Sequence, residues 1–315
     1  MATILLTGRS GLIAAHVLET LLQRGHSVVT TMRLTQEGRL IIDAHLYHSP
    51  ETLEYAVIED IAQADALDRA VISELPFEAV ENKKELLEPA INGTVGLLES
   101  IYKHATSVKR VVITSSSAEI LGQRQPNKVY TEADWCPVTG EYALVGPANN
   151  YRASKTFAIG DERAAWKFVE EKDPGFSLTC NSPLVLGPIL HCLESVSSLN
   201  TSNQRIRDIM RRASKQGLPI TGNHLFVDPD AANKRFFMVG GHFSNKEITE
   251  IIAENLPALK KNLPSGGALM SGDYPAVGPY GFDNTRGKKL LGVTYRPLKE
   301  SIVDSVNSLE PFYEQ

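Results

Sequence analysis

The sequence is poor in several things, and each shortage excludes a class of protein. Cysteine occurs only three times in 315 residues, at Cys136, Cys180 and Cys192, with no CxxC spacing. An odd number without paired spacing excludes a disulfide framework and a cysteine-based zinc site, and fits a reducing compartment. Positive charge is not in excess: 32 Lys and Arg stand against 37 Asp and Glu, a formal charge of −5. Nucleic acids and anionic membranes are held by basic surfaces, so neither is an expected partner. No apolar run reaches the length of a membrane span. The start, Met1 to Gly8, has neither the charged nor the apolar region of a signal peptide, so a cytoplasmic protein is expected. Histidine clusters are also lacking. His16 and His26 flank the first predicted helix, His45 and His48 fall in a predicted loop, and none stands at ligand spacing from carboxylates, so no metal is expected. What remains is ordinary globular composition, 42% hydrophobic and 22% charged, enough for a sizeable core.

The order of elements carries the fold. Thr3 to Thr7 is a short β-branched run of the kind found in buried parallel strands. Gly8 to Gly11 is a turn. Leu12, Ile13, Ala15, Leu18 and Leu22 follow at helical spacing, and Arg24-Gly25 ends that helix with a cation and a glycine. With a strand at Ser27–Met32 this makes one βαβ unit. Further strands are predicted at Tyr55–Ile58, Arg110–Thr114 and Leu178–Cys180, and helices at Gln63–Ser73, Glu85–His104, Tyr151–Glu171 and Asn203–Lys215. Such alternation predicts an α/β fold, a Rossmann-type doubly wound parallel sheet. After Pro188 the alternation stops. The expected division is therefore an NAD(P)-binding domain over 1–188 and a smaller C-terminal α/β substrate lobe over 189–315, the two interleaved through exchanged strands. In the lobe, Ser244 and Glu247 form a capping box for a helix at Ile248–Asn255. A loop is predicted from Leu263 to Pro279, then helices near Asn284–Leu291 and Pro297–Ser308.

Three patterns carry chemistry. The turn Thr7-Gly8-Arg9-Ser10-Gly11-Leu12-Ile13-Ala14 joins a strand to a helix. Its glycines allow unusual dihedrals and close approach of a pyrophosphate, and the helix start offers free N–H groups and partial positive charge. The plain alternative is an ordinary strand–helix turn. Arg33, just past the second strand, stands where an acid would hold the ribose hydroxyl of NAD and an Arg the 2′-phosphate of NADP; its plain alternative is a solvated cation. Asp60-Ile61 follows the third strand, where the Asp can bond an adenine amino group or cap a helix. Finally, Tyr151 and Lys155 are four apart, which puts both on one helix face. An ammonium beside a phenol lowers the phenol's pKa and readies it for proton exchange with a substrate oxygen. Tyr295 and Lys299 repeat the spacing, but Pro297 between them argues against a shared face. Ser115-Ser116-Ser117 ends the Val111–Thr114 strand, at the carboxyl edge where such sheets bind ligands. Trp135 and Trp166 read as packing residues.

Taken together, these residues resemble the extended short-chain dehydrogenase/reductases, with Asn181-Ser182-Pro183-Leu184-Val185-Leu186-Gly187-Pro188 as a further match. The chain is similar above all to the branch holding fungal methylglyoxal and ketone reductases, yeast carbonyl reductases, and plant dihydroflavonol and cinnamoyl-CoA reductases. Glu88 to Thr94, Leu199 to Gln204 and Ala232 to Phe237 carry the fungal likeness. The resemblance implies reduction of a small-molecule aldehyde or ketone with NADPH by a monomer or homodimer. It implies Tyr151 as proton donor, Lys155 as its tuner and a ligand of the nicotinamide ribose, and Ser116, or Ser117 one register on, as the group polarising the carbonyl. Cofactor contacts would come from Thr7, Gly8, Ser10, Gly11, Leu12, Ile13, Arg33, Asp60 and Ile61, and from Pro183, Leu184 and Val185 beside the nicotinamide. A dinucleotide-binding relative without turnover, and an epimerase or dehydratase, are the alternatives.

The departures from that family are as definite. Phe77-Glu78-Ala79-Val80 runs straight into Glu81-Asn82-Lys83-Lys84, where the family has a fourth, central strand and a loop. About fifteen residues are absent after Leu225 to Pro229 by the same comparison. Ile159-Gly160-Asp161 is extra, and Ser182 replaces a usual proline. Gaps with intact flanks have the form of skipped coding segments rather than trimmed loops. Loss of the fourth strand would leave the strands at Thr3–Thr7 and Arg110–Thr114 each short of a neighbour.

Overall fold

The computed structural model describes residues 2–7, 12–45, 52–59, 88–121, 128–136, 162–183, 187–190, 199, 201–211, 222–223 and 232–310. The chain forms two compact units. One comprises residues 1–111, 139–178 and 190–192, and the other 112–138, 179–189 and 193–315.

The first unit opens with β1 (Thr3–Leu6), α1 (Leu12–Gln23), β2 (Ser27–Met32), α2 (Thr35–Ala44) and β3 (Leu53–Val57). The strands form a parallel sheet in the order β1-β2-β3, with Leu5 opposite Val29 and Thr30 opposite Tyr55. Helix α1 turns Ala15, Leu18 and Leu22 inward. Leu18 and Leu22 join Val28, Met32, Ile41 and Leu53 in one core. The predicted βαβ unit is thus present, but α2 was not legible in the sequence. Its first residue is preceded by Leu34, which supplies no side-chain cap, and Gly38 stands in its interior. Both features are weak helix signals. His45, expected in a loop, stands in the turn that ends α2. It follows α2, is buried, and donates from Nδ1 to the Ile41 carbonyl at 2.8 Å, with Nε2 3.4 Å from the Glu19 carboxylate. Helix α3 (Glu88–His104) carries Lys103 and His104 in its last turn, where cations oppose the helix dipole. Tyr102 meets Phe168, on helix α4 over 162–172, edge to face at 6.1 Å.

The second unit is built on a sheet in the order β4-β6-β8, from β4 (Arg110–Thr114), β6 (Ser177–Pro183) and β8 (Lys234–Met238). Strand β6 is the middle strand, and Thr179, Cys180, Asn181 and Ser182 are buried along it. Strand β8, from beyond residue 188, runs parallel to it with Cys180 opposite Arg235 and Ser182 opposite Phe237. Short strands β5 (Val129–Tyr130) and β10 (Gly281–Phe282) pair in parallel, and β7 (Gly222–Asn223) pairs antiparallel with β9 (His242–Phe243). Helices α5 (Thr201–Met210), α6 (Asn245–Asn255) and α8 (Leu298–Ser308) bury a core that includes Ile206, Phe243, Ile248, Ile252, Ile302 and Val306. The capping box forms as predicted. Ser244 Oγ accepts from the Glu247 N–H at 3.1 Å, and the Glu247 carboxylate accepts from the Ser244 N–H at 2.6 Å. The predicted loop 263–279 contains one helical turn, Gly267–Met270. Helix α7 (Thr285–Leu291) ends at Gly292, whose left-handed φ of +63° favours a residue without Cβ.

The strand edges have one further feature. Among the described residues β1 pairs with β2 alone, and β4 with β6 alone. Burial agrees: Thr3 is exposed and Ile4 to Leu6 are half-buried, while Val112 of β4 is 46% exposed. Strands inside a parallel sheet are covered on both faces. Val112 therefore departs from the central-strand pattern that Val111–Thr114 suggests.

The glycine in α2 gives a direct test of this packing. A Cβ at position 38 would lie 2.6 Å from Cγ of Tyr55 on β3. Gly38→Ala gains about 1 kcal/mol of helix propensity, while overpacking costs about 1–3 kcal/mol. The atom in the way is the base of the ring, which cannot swing aside, so the clash wins. Urea unfolding should show a lower midpoint for Gly38→Ala, and Tyr55→Ala introduced alongside it should restore part of the loss.

Candidate functional site

The phosphate-cradle residues Gly8, Ser10 and Gly11 lie outside the described residues, as do Asp60 and Ile61. What flanks the cradle is described. Thr7 follows β1, and α1 begins at Leu12-Ile13, both half-buried, with no acidic residue in its first turn. A helix start without a carboxylate keeps its free N–H groups for an anion. The Thr30 hydroxyl donates to the Leu6 carbonyl at 3.2 Å and ties the ends of β1 and β2 together. Arg33 comes directly after β2 and is exposed. Thr30 to Met32 bring no acid beside it, so this end of the unit offers N–H donors and a cation. That donor set fits a nucleotide carrying an extra phosphate on its ribose.

The serine turn is described in full on its backbone. The Ser115 N–H bonds the Asn181 carbonyl at 2.7 Å, which fixes the carboxyl end of β4 against β6. A 3₁₀ turn follows at Ser117–Glu119. The Ser116 carbonyl accepts from the Glu119 N–H at 3.0 Å, and the Ser117 carbonyl from the Ile120 and Leu121 N–H groups at 3.2 and 2.9 Å. Ser116 is half-buried, whereas Ser117 is only 7% exposed. Ile120, which closes the turn, belongs to an apolar floor with Tyr130, Phe237, Val239 and Tyr280. Pro183 ends β6 opposite Met238; Leu184 and Val185 lie outside the described residues.

Tyr151 and Lys155 also lie outside the described residues. The competing pair is described and fails on chemistry. Pro297 immediately precedes α8, so Tyr295 stands before the helix that carries Lys299. Burial pushes the Tyr295 phenol up to about 12, the opposite of what proton transfer near neutral pH requires.

One set of residues at this end of the unit could not be found from sequence spacing. The segment 128–136 follows the serine turn and is internally braced. The Asp134 carboxylate accepts from the Thr131 N–H at 2.8 Å and pairs with Lys128 Nζ at 2.7 Å. Burial alone would raise that carboxyl, but the Lys128 and Thr131 hydrogen bonds hold it below its usual range. Arg235, on β8, lays its guanidinium over the Trp135 ring, 3.4 Å from the centroid. Residues a hundred positions apart leave no local pattern, so Trp135 reads as mere packing until the fold brings Arg235 to it.

Comparison with known proteins adds the following. The sequence pattern of the NAD-dependent epimerase/dehydratase family matches residues 4–172. A ketoreductase of Aspergillus niger, azaE, is 41% identical over 97% of this chain and 97% of its own. A cinnamoyl-CoA reductase of Medicago truncatula, CAD2, is 30% identical over 96% of this chain and 94% of its own. Those alignments extend over 334 and 335 positions, more than the 315 residues available, so gaps must open inside this chain. The crystal structure of yeast methylglyoxal/isovaleraldehyde reductase Gre2 complexed with NADPH covers 100% of this chain and 99% of its own, with a TM-score of 0.83 at 29% identity.

The apolar floor that includes Ile120 carries a titratable group. The His242 ring lies 5.1 Å from the Tyr280 ring and 5.0 Å from the Phe282 ring. Burial lowers its pKa below 6.5, against the opposing pull of the Tyr280 carbonyl and the Glu247 charge. The unfolded chain therefore takes up the proton first as pH falls, and folded stability is lost below about 6.5. Urea midpoints measured from pH 7.5 down to 5 should fall, and His242→Gln should flatten that slope.

Proposed function

We propose that this chain, which belongs to the NAD-dependent epimerase/dehydratase family of extended short-chain dehydrogenase/reductases, reduces an aldehyde or ketone to an alcohol with NADPH. The observation that carries this reading is the likeness to a ketoreductase along both chains, C-terminal lobe included. The free thiols of Cys136 and Cys180 support placing the reaction in the reducing cytosol.

NADPH, when bound, supplies the hydride. Thr7, Gly8, Ser10, Gly11, Leu12 and Ile13 take its pyrophosphate at the start of α1, and Arg33 its 2′-phosphate. Asp60 and Ile61 take the adenine, and Pro183, Leu184 and Val185 flank the nicotinamide. Tyr151 gives its phenolic proton to the substrate oxygen. Lys155 lowers the pKa of that phenol through its charge and holds the nicotinamide ribose. Ser116 donates a hydrogen bond to the carbonyl oxygen and draws charge toward it as the bond to carbon is made. Its partial exposure, against the burial of Ser117, favours Ser116 for that contact.

A second reading has its own observation. The cradle and the serine turn are attached to β1 and β4, each paired on one side alone among the described residues. A chain weakened there would bind the dinucleotide without turning over.

The test combines binding with turnover. NADPH at a hundredfold excess over its Kd should stabilise the chain by about 2.7 kcal/mol in thermal unfolding, and NADH by less. Arg33→Ala should remove the difference between the two. Addition of aldehydes or ketones should give net oxidation of NADPH, which an epimerase would not show. Tyr151→Phe should lower turnover by about 10²–10⁴-fold and leave the NADPH stabilisation intact. Stabilisation without oxidation would overturn the reductase reading and leave the second reading or an epimerase. Indifference to both nucleotides would overturn both.

A further inference from the structure

The contacts of Arg235 converge on the segment that follows the serine turn. From β8, Nη1 donates to two successive acceptors on that segment, the carbonyls of Glu132 at 2.8 Å and Asp134 at 3.0 Å. Directly after Asp134 stands Trp135, whose ring faces the same guanidinium at 3.4 Å. One planar cation thus grips the segment by its backbone and by its aromatic side chain. A lysine could not do both, because its ammonium has neither the fork nor the flat face.

Two further contacts make the grip rigid. Arg286, on α7, donates from Nη1 to the Arg235 carbonyl at 3.2 Å and pairs through Nε with the Glu132 carboxylate at 2.7 Å. Glu132 is therefore held from both its carbonyl and its side chain. At the far end of the segment, the Cys136 N–H bonds the Glu119 carbonyl at 2.6 Å. Glu119 closes the 3₁₀ turn through its own N–H bond to the Ser116 carbonyl. An unbroken line of hydrogen bonds and covalent backbone therefore leads from Arg235 through residues 132–136 to Ser116.

We infer that Arg235 is a positioning residue for the reaction proposed above, acting through Trp135 and the 132–136 segment to fix the serine turn at the carboxyl end of β4. This rests on the reading of the chain as a carbonyl reductase. The turn needs such support because β4 is paired on one side among the described residues and its outer face is open at Val112. A hydrogen-bond donor acts on a developing charge only if it is held where that charge appears, and misplacement of about 1 Å is enough to cost large factors in rate. None of the residues in the grip is among those assigned to the nucleotide, so it bears on turnover and not on nucleotide affinity.

Arg235→Lys keeps the charge and loses the fork and the stacking face. It should lower kcat by about tenfold or more and leave KM for NADPH and the NADPH-induced rise in unfolding temperature unchanged. Amide hydrogen exchange should quicken at Cys136 and at Glu119 to Leu121, and stay as it was at Leu178 to Ser182. Trp135→Ala, made from the half-buried side of the contact, removes the same grip and should show the same pattern if Arg235→Lys folds poorly. Unchanged exchange at Cys136 and Glu119 in both variants would overturn the inference. So would faster exchange with kcat unaltered, or a kcat that falls only in step with NADPH affinity. If the parent chain turns over no carbonyl compound while exchange responds as described, the grip stands and the functional reading is what fails.

Discussion

Every strand of a parallel sheet has two edges of N–H and C=O groups to satisfy, and the rest of this molecule depends on how β1 and β4 meet that demand. Each has one strand neighbour among the described residues. Open backbone groups can bond water, so the edge is not itself ruinous. The loss is in apolar cover. Burying a valine fully is worth about 1.5–3 kcal/mol, and Val112 forgoes a large part of that at 46% exposure. By contrast β2 and β6, each the middle strand of its sheet, carry buried residues along much of their length. The two strands that lead into the glycine turn and the serine turn are therefore the less supported ones among the described residues.

That arrangement explains where the compensating contacts lie. In the first unit the Thr30 hydroxyl bonds the last carbonyl of β1, and α1 packs Leu18 and Leu22 onto β2. In the second unit the Ser115 N–H reaches β6, the apolar floor of Tyr130, Phe237 and Tyr280 takes in Ile120 at the close of the turn, and the Arg235 grip braces the segment beyond it. Each of these acts on residues next to the two turns rather than on the strand edge left without a neighbour among the described residues. The buried Phe236, Phe237 and Met238 of β8 give Arg235 a stiff base from which to act.

What was legible in the sequence was local. The first βαβ unit could be read from its apolar periodicity and the Arg24-Gly25 stop, and the capping box from Ser244 and Glu247. Helix α2 was hidden because it has no side-chain cap and keeps Gly38 for the sake of the Tyr55 ring, so tertiary packing overrides local propensity there. Strand β8 was hidden because Lys234 and Arg235 mask its start, and only the pairing with β6 makes it a strand. The sequence proposes the candidate site through Ser116, Tyr151, Lys155 and the glycine turn, and of these Ser116 alone lies among the described residues. The support of that site was not legible, because the residues that brace it are a hundred positions away in sequence. The gap expected where Val80 runs into Glu81 lies outside the described residues; alignments longer than the chain itself show that gaps open in it, without placing them.

Native-state amide hydrogen exchange, followed residue by residue, tests the dependence on those two edges most directly. Leu178 to Ser182 of β6 and Val28 to Met32 of β2 should exchange only through global opening. The outward-facing amides of β1 and β4 should exchange faster by local opening, as edge strands do. Protection in β1 and β4 equal to that in β2 and β6 would mean that both strands are paired on both sides in solution, and would contradict the account.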